Sequence, residues 1–496
     1  MKSDNALGLI NKILWGSLLI FLPFTSFPLV SRLFRGSMVA PLSAIPLAIL
    51  FFTFFLPRIF KPKSVPTQVV PILLFFLLAL FSTALASFRL FPSYRNDNPL
   101  MNNLESFMTL GVGIVFYITT YLFITDENSL KFSIACINIG GAIIIVASIL
   151  QFASWKLFQN YPDLLQSLQS LVSSSGRLFE RRVNAFAYEP SWLAHQLNIL
   201  YLPIWFGLVL KGQSIYKFRL FNKISLEVLL LMGGFFSLFA SLSRIGWLTA
   251  IAMLGFLIIR KADELKRKAF IKFLPSKKTA SSSRNVVFNS LFWLLVVSLI
   301  LFLSFLLLKL LTIVEPTRMV NFFNFLQIKE NGILTWASRL ELAERFIYWQ
   351  TAFITFLSFP LIGVGLGNAG FYFLGNLPSF GYGLPEILRY VLMNNNVANP
   401  KNLWIRILAE TGIVGFACFF IWFYGHVKMA GSLDSEPRNS LTSVVGLIGI
   451  LLSISFVLEG FSMDTFGLPY YWIGFGLVMG AYRFSQNSTI VPLEDH

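Results

Sequence analysis

Residues 68–88 read QVVPILLFFLLALFSTALASF and hold no charged side chain. A helix that crosses the hydrocarbon core of a bilayer needs about 20 predominantly apolar residues, and this stretch meets that length. Working outward from it, hydropathy predicts about twelve such spans. They fall at 11–30, 39–56, 68–88, 106–125, 130–154, 188–210, 224–241, 244–260, 287–311, 403–425, 440–458 and 465–483. Together they take about 240 residues, close to half of the 496. The first span is too long and too aromatic for a signal-peptide core and lacks a small-residue cleavage site, so it counts as structure.

Composition agrees. The chain is 56% hydrophobic and only 12% charged, with a mean hydropathy of +0.70, whereas soluble domains carry about 25% charged residues. This excludes an ordinary soluble enzyme, a disordered chain and a nucleic-acid-binding domain. The net charge is +16. In a chain this apolar, the partners that suit basic loops are lipid head groups and anionic lipid-linked substrates. Cys136 and Cys418 lie in apolar runs and read as small core residues. The three histidines, His195, His426 and His496, are far apart, so a zinc site is not expected.

With the N-terminus inside, more than half of the 39 basic residues fall on inside segments, nine of them between Arg260 and Arg284. Basic residues collect on the cytoplasmic side. An even number of spans returns the C-terminus inside, next to Arg483. The expected organisation is residues 1–311 with nine spans and short loops, 312–402 as a large extracytoplasmic loop, and 403–496 with three spans and a cytoplasmic tail. Within the large loop, SRLELAERFIYWQTAFITFL (338–357) places Leu342, Phe346, Trp349 and Phe353 at helical spacing. That pattern predicts an amphipathic helix on the membrane surface. The stretch 360–402, rich in Gly, Pro and Asn, should be irregular. The segment 261–286 reads as a charged cytoplasmic linker.

Ionisable residues within the spans are few: Glu227, Lys309, Glu410 and Glu459, all close to span ends. Ion-coupled carriers place charges near the bilayer centre, so this scarcity favours chemistry at the outer surface. Arginines cluster there. Arg177, Arg181 and Arg182 precede the sixth span, Arg244 opens the eighth, and Arg339 and Arg345 lie on the amphipathic helix. Arginine binds phosphate bidentately and stays charged at any working pH. Structural roles compete with that reading: Arg345 can pair with Glu341 one turn away, and Arg181 and Arg182 can anchor the span at head groups. Glu189 precedes Pro190 at a helix start, where the dipole favours an acid; it is also the candidate general base. His195, two turns deeper, reads as a packed core histidine. Gly365-Leu-Gly367-Asn-Ala-Gly370 matches GxGxxG in form but follows no strand. The run PLIGVGLGNAGF (360–371) reads instead as a tight turn that lets backbone N–H groups approach an anion. The run NPKNLWIRILAETGIVG (399–415) brings Lys401, Asn402 and Arg406 to the outer interface.

Three of these patterns, in this order, resemble the superfamily of bacterial O-antigen polymerases and O-antigen ligases. They are SRIGW at 243–247, Arg345-x3-Trp349 leading to Pro360-x-x-Gly-x-Gly-x-Gly367, and NLWIRILAETGIVG at 402–415. The layout of about twelve helices with one large late loop matches as well. The resemblance implies a GT-C-like, all-α polytopic protein of the bacterial inner (plasma) membrane. It implies a glycosyltransferase that uses an undecaprenyl-diphosphate-linked glycan, with no nucleotide sugar, metal or other cofactor. The outer arginines would hold the diphosphate: Arg244 and Arg345 match best by position, with Arg339 and Arg182 as further candidates. Ligases of this superfamily carry a histidine, proposed as the base, where this chain has Lys401. A lysine is a poor base and a good phosphate ligand, which leaves Glu189 as the candidate base.

The expected function is polymerisation of lipid-linked repeat units into O-antigen or exopolysaccharide. Donor and acceptor would both be lipid-linked oligosaccharides, among membrane lipids, with a chain-length regulator and a flippase as further partners and no nucleic acid. One rival is a ligase that transfers glycan to lipid A core. The other is a non-enzymatic transporter of lipid-linked glycan, which would be expected to show paired halves or interrupted helices with mid-membrane charges; neither is visible in the sequence.

Overall fold

The computed structural model describes residues 2–33, 37–60, 66–89, 91–92, 98–273, 343–394, 396–437 and 440–489, with isolated positions between 290 and 309. Most of the expected span 287–311, the first part of the large loop, Arg339 and Glu341 lie outside the described residues.

The first expected span, 11–30, is displaced. Helix α1 covers Lys2–Ile20, the chain then turns, and a short helix α2 (Pro28–Leu33) follows. Pro23 and Pro28 account for the difference: each lacks a backbone donor and pushes the preceding residue out of the helical region. Next come α3 (Ala44–Ile59), α4 (Thr67–Ala86), α5 (Pro99–Phe123) and α6 (Glu127–Phe158). Asp126 and Ser129 close a capping box at the start of α6, so its first N–H groups are satisfied before it enters the bundle. The loop after it holds helix α7 (Asp163–Val172). Then follow α8 (Pro190–Lys211), α9 (Leu226–Ser241) and α10 (Arg244–Phe273). Helix α10 runs on through the first half of the segment read as a linker.

Helix α11 (Ala343–Ser358) occupies most of the expected amphipathic stretch. Ile347, Tyr348, Thr351 and Thr355 face the protein, while Phe346, Phe353 and Leu357 are exposed. The stretch 360–402 is less irregular than expected, since short helical turns fill 369–383 and a π-helix covers Ile387–Met393. The chain ends in α12 (Leu403–Asp434), α13 (Leu441–Glu459) and α14 (Pro469–Thr489). A two-residue hairpin, β1 (Arg219–Leu220) with β2 (Ile224–Ser225), is the one small departure from all-α structure among the described residues.

Seven of the described helices are long and apolar enough to cross a membrane, and α1, α3 and α9 contain shorter apolar helices. The exposed faces support a lipid surround. On α4, Leu74, Leu77 and Phe81 form an exposed stripe on a helix without a charge, which water would not tolerate over such an area. The core runs through the bundle, where α12 packs on α4 and α13, α8 on α13, α14 on α5 and α1 on α6; Trp15, Trp205, Trp422 and Trp472 are fully buried within it.

The two ends of the bundle differ in chemistry. At one end Lys211 and Arg260 both grip Asp434, at 2.9 and 2.7 Å. At the other end lie the starts of α8, α10 and α12 and the end of α13. On the positive-inside pattern the first end is expected to face the cytoplasm. An impermeant thiol reagent added to spheroplasts should therefore label Ser379→Cys and leave Ser435→Cys untouched until the membrane is opened. Both serines are exposed; the reverse labelling would invert the topology.

Candidate functional site

Helix α12 is interrupted. Gly412 sits at φ 65°, ψ −171°, and the break frees backbone groups on both sides. In lipid every such group needs a partner, and the glycine run supplies them. Ile413 and Val414 donate to the carbonyls of Pro360 and Leu361, at 2.8 and 3.3 Å. Val364 and Gly365 donate to the carbonyls of Ala409 and Glu410, at 3.0 and 2.9 Å. Leu366 N–H goes to Thr83 Oγ1 at 2.9 Å. The expectation that this run offers N–H groups to an anion is therefore corrected: those of residues 363–366 are taken by the protein. The glycines are needed because residues 363, 365 and 367 all have φ between 70° and 90°, a region closed to most side chains.

The break also corrects the view that interrupted helices are missing. A buried acid, Glu410, stands beside it, but it pairs with Arg406 at 3.1 Å. Arg406 also donates to Ser106 Oγ at 3.2 Å and to the carbonyl of Asp464. A pair satisfied from so many sides is part of the scaffold.

The helix ends remote from Asp434 meet around the turn that follows α13. Arg345 Nη1 donates to Ser462 Oγ at 2.9 Å, and Trp349 lies 5.9 Å from the Phe461 ring. Asp464 Oδ2 accepts from Lys401 N–H at 3.0 Å, and the Trp349 indole donates to the Lys401 carbonyl at 3.4 Å. Lys401 has φ 52°. Its ammonium pairs with the Glu386 carboxylate and lies 4.5 Å over the Tyr348 ring. Burial, and then the Glu386 charge, push the Tyr348 phenol well up, so it stays a hydrogen-bond donor. A substrate phosphate at Lys401 would compete with Glu386.

The same turn reaches deeper. Glu459, fully buried, accepts from Asn198 at 2.6 Å and lies 2.5 Å from His195 Nδ1. Asn198 also donates to the Gly246 carbonyl at 2.9 Å, near the start of α10. Asn198 lies in a π-turn, Leu197–Tyr201, within α8; such turns re-aim side chains and recur at functional sites. His195 is buried, as a core histidine would be, but it is partnered with an acid. Glu459 and Asn198 were not singled out as its partners in the sequence, nor were Glu386 and Asp464 as partners of Lys401. One signal was present: an acid and a histidine in apolar helices each need a partner once buried.

Arg182 and Arg244 share a neighbouring corner. Arg182 Nε donates to the Ser241 carbonyl at 3.2 Å, and Val183 N–H to that of Ala240 at 2.9 Å. The 182 loop is thereby laced to the turn from which Arg244 starts α10. Glu189 is the N-cap residue of α8 and accepts from Ser191 Oγ at 2.5 Å. Arg345 meets Ser462; its expected partner Glu341 lies outside the described residues, as does Arg339. Among the described residues, no group of three or more His, Cys, Asp or Glu could hold a metal ion.

Comparison with known families adds one finding. The sequence profile of the family described as O-antigen ligase matches residues 228–420, from α9 into α12 and less than half of the chain. The match supports the superfamily of O-antigen ligases and polymerases. It includes Arg244, Arg345, Lys401 and the glycine run, and leaves out Arg182, Glu189, His195 and Glu459. No curated protein matches the chain.

Proposed function

We propose that this multi-pass membrane protein polymerises lipid-diphosphate-linked oligosaccharide repeats at the outer face of the bacterial inner membrane. The observation that carries the reading is the gathering of cations at one end of the bundle. Arg182 and Arg244 stand at one turn, and Arg345 and Lys401 around another, with the Glu459–His195–Asn198 cluster between Ser462 and Gly246. In the reaction a hydroxyl of the acceptor glycan attacks C1 of the donor sugar. The bond from C1 to the diphosphate oxygen breaks, that oxygen keeps the electron pair, and undecaprenyl diphosphate leaves. Glu189 is the proposed acceptor of the hydroxyl proton, and a single displacement inverts C1. Negative charge grows on the leaving group, and fixed guanidinium groups stabilise it without having to reorganise.

The second reading is a ligase, favoured by the description of the matched family. Lys401 weighs against it. A ligase base at this position should accept a proton near neutrality, whereas a lysine ammonium offers donors and no acceptor. Lys401→Arg should therefore keep substantial activity, while Lys401→His and Lys401→Ala lose most of it. The deciding assay incubates purified protein with lipid-linked repeats, with and without lipid A core. A ladder of lengths on one lipid carrier is the expected product. Transfer only in the presence of lipid A core, with no ladder in its absence, makes the protein a ligase.

A further inference from the structure

Away from the arginines, a cleft of about 460 Å³ opens between α2, the end of α7 and the loop before α8. That is within the usual range for small-ligand sites, roughly 300–1,000 Å³. Its lining includes Ser31, Arg32, Ser170, Ser173, Ser174 and Tyr188. We infer that this cleft is a carbohydrate subsite, and that it holds the acceptor glycan while the arginine corner holds the donor diphosphate. The assignment of acceptor rests on the reading above; the carbohydrate chemistry rests on the cleft alone.

The lining matches sugar better than any other ligand class. Four serines and a tyrosine line one cavity. The Ser31 and Ser170 hydroxyls donate to the carbonyls of Ser37 and Ser167, both at 2.8 Å. Each keeps lone pairs free to accept from sugar hydroxyls. The Tyr188 ring lies 5.4 Å from that of Trp192 and forms an aromatic edge on which the C–H face of a sugar ring can rest. Among the described residues, Arg32 is the one cation of the lining, placed to meet a single carboxylate on a sugar.

The walls are built rather than incidental. Ser174 N–H donates to the Ser26 carbonyl at 2.7 Å, the two hydroxyls are 2.5 Å apart, and Tyr188 N–H donates to Thr25 Oγ1 at 2.9 Å. These bonds tie the loop before α8 to the turn before α2. Position fits as well. Tyr188 directly precedes Glu189, so the cleft opens beside the proposed base. Leu29 and Leu33 on α2, and Leu164, Leu168 and Leu171 on α7, are all exposed. Their spacing gives each helix an apolar face beside its serine face, the pattern of a helix lying at the bilayer boundary. The cleft therefore sits at head-group height, where the lipid-proximal sugars of a membrane-bound acceptor pass.

The test uses the full-length protein in detergent and two probes. One is the repeat-unit oligosaccharide released by mild acid from the organism's own lipid-linked pool, free of lipid and phosphate; the other is inorganic diphosphate. Wild type should bind the free oligosaccharide in a calorimetric titration. Ser170→Trp, which fills the cleft from an exposed position, and Arg32→Ala should each weaken that binding about tenfold, or about 1.4 kcal/mol. Diphosphate binding should not change. In the transfer assay the same variants should raise the acceptor KM and leave the donor KM alone. Oligosaccharide binding unchanged in Ser170→Trp overturns the subsite. Binding that is lost in the variant, with no transfer by wild type onto any acceptor, keeps the subsite and overturns the proposed reaction.

Discussion

Arg244→Ala and Arg345→Ala should each cut glycan transfer by about 100-fold or more, because removing one fixed charge donor at a developing anion typically costs that much. The membrane level and melting temperature of the protein should stay close to wild type. Arg345 is part-buried and donates to the Ser462 hydroxyl at 2.9 Å; loss of such a bond costs about 1 kcal/mol of stability. Lysine should rescue poorly at either position, since a point charge replaces a planar fork that can take two phosphate oxygens at once. Two comparison variants separate function from scaffold. Ser462→Ala removes the Arg345 contact and should leave most of the activity. Glu341→Ala tests the alternative ion pair: if it were as damaging as Arg345→Ala, Arg345 would be a structural residue. Full activity in Arg244→Ala would remove that residue from the site.

Gly412→Ala should be the most damaging substitution for folding. An alanine at φ 65°, ψ −171°, a region essentially reserved for glycine, costs about 1–3 kcal/mol by itself, and its Cβ would overlap the carbonyl of Leu361. The segment 360–365 would have to move, and the four backbone bonds that close the break in α12 would go with it. In lipid each unpaired group costs several kcal/mol, against a total stability of about 5–15 kcal/mol for a typical folded protein. The expected result is near-complete loss of folded protein from the membrane. Gly425→Ala, further along the same helix, meets nothing within 4 Å and should behave like wild type in a detergent melting assay. Equal melting temperatures for the two variants would show that the break is not held by the glycine run.

Much of the architecture was legible in the sequence because its cause is local. An apolar run such as 68–88 has nowhere to go but lipid, whereas hydropathy alone carried the first span through Pro23 and Pro28, past Ile20 where the helix stops. The helix of α11 follows from the spacing of Phe346, Trp349 and Phe353. Pairing is another matter. Glu459 finds His195 across 264 residues of sequence; Lys401 finds Glu386 rather than an open solvent face. The glycines of 363–367 repair a broken helix rather than cradle an anion. None of these follows from composition or period, since a hydrogen bond depends on where two distant segments meet. Hydropathy determines which segments are buried in the membrane; which polar groups then satisfy one another is decided only when the helices pack, because each buried donor or acceptor takes whatever partner the packed bundle brings within about 3 Å.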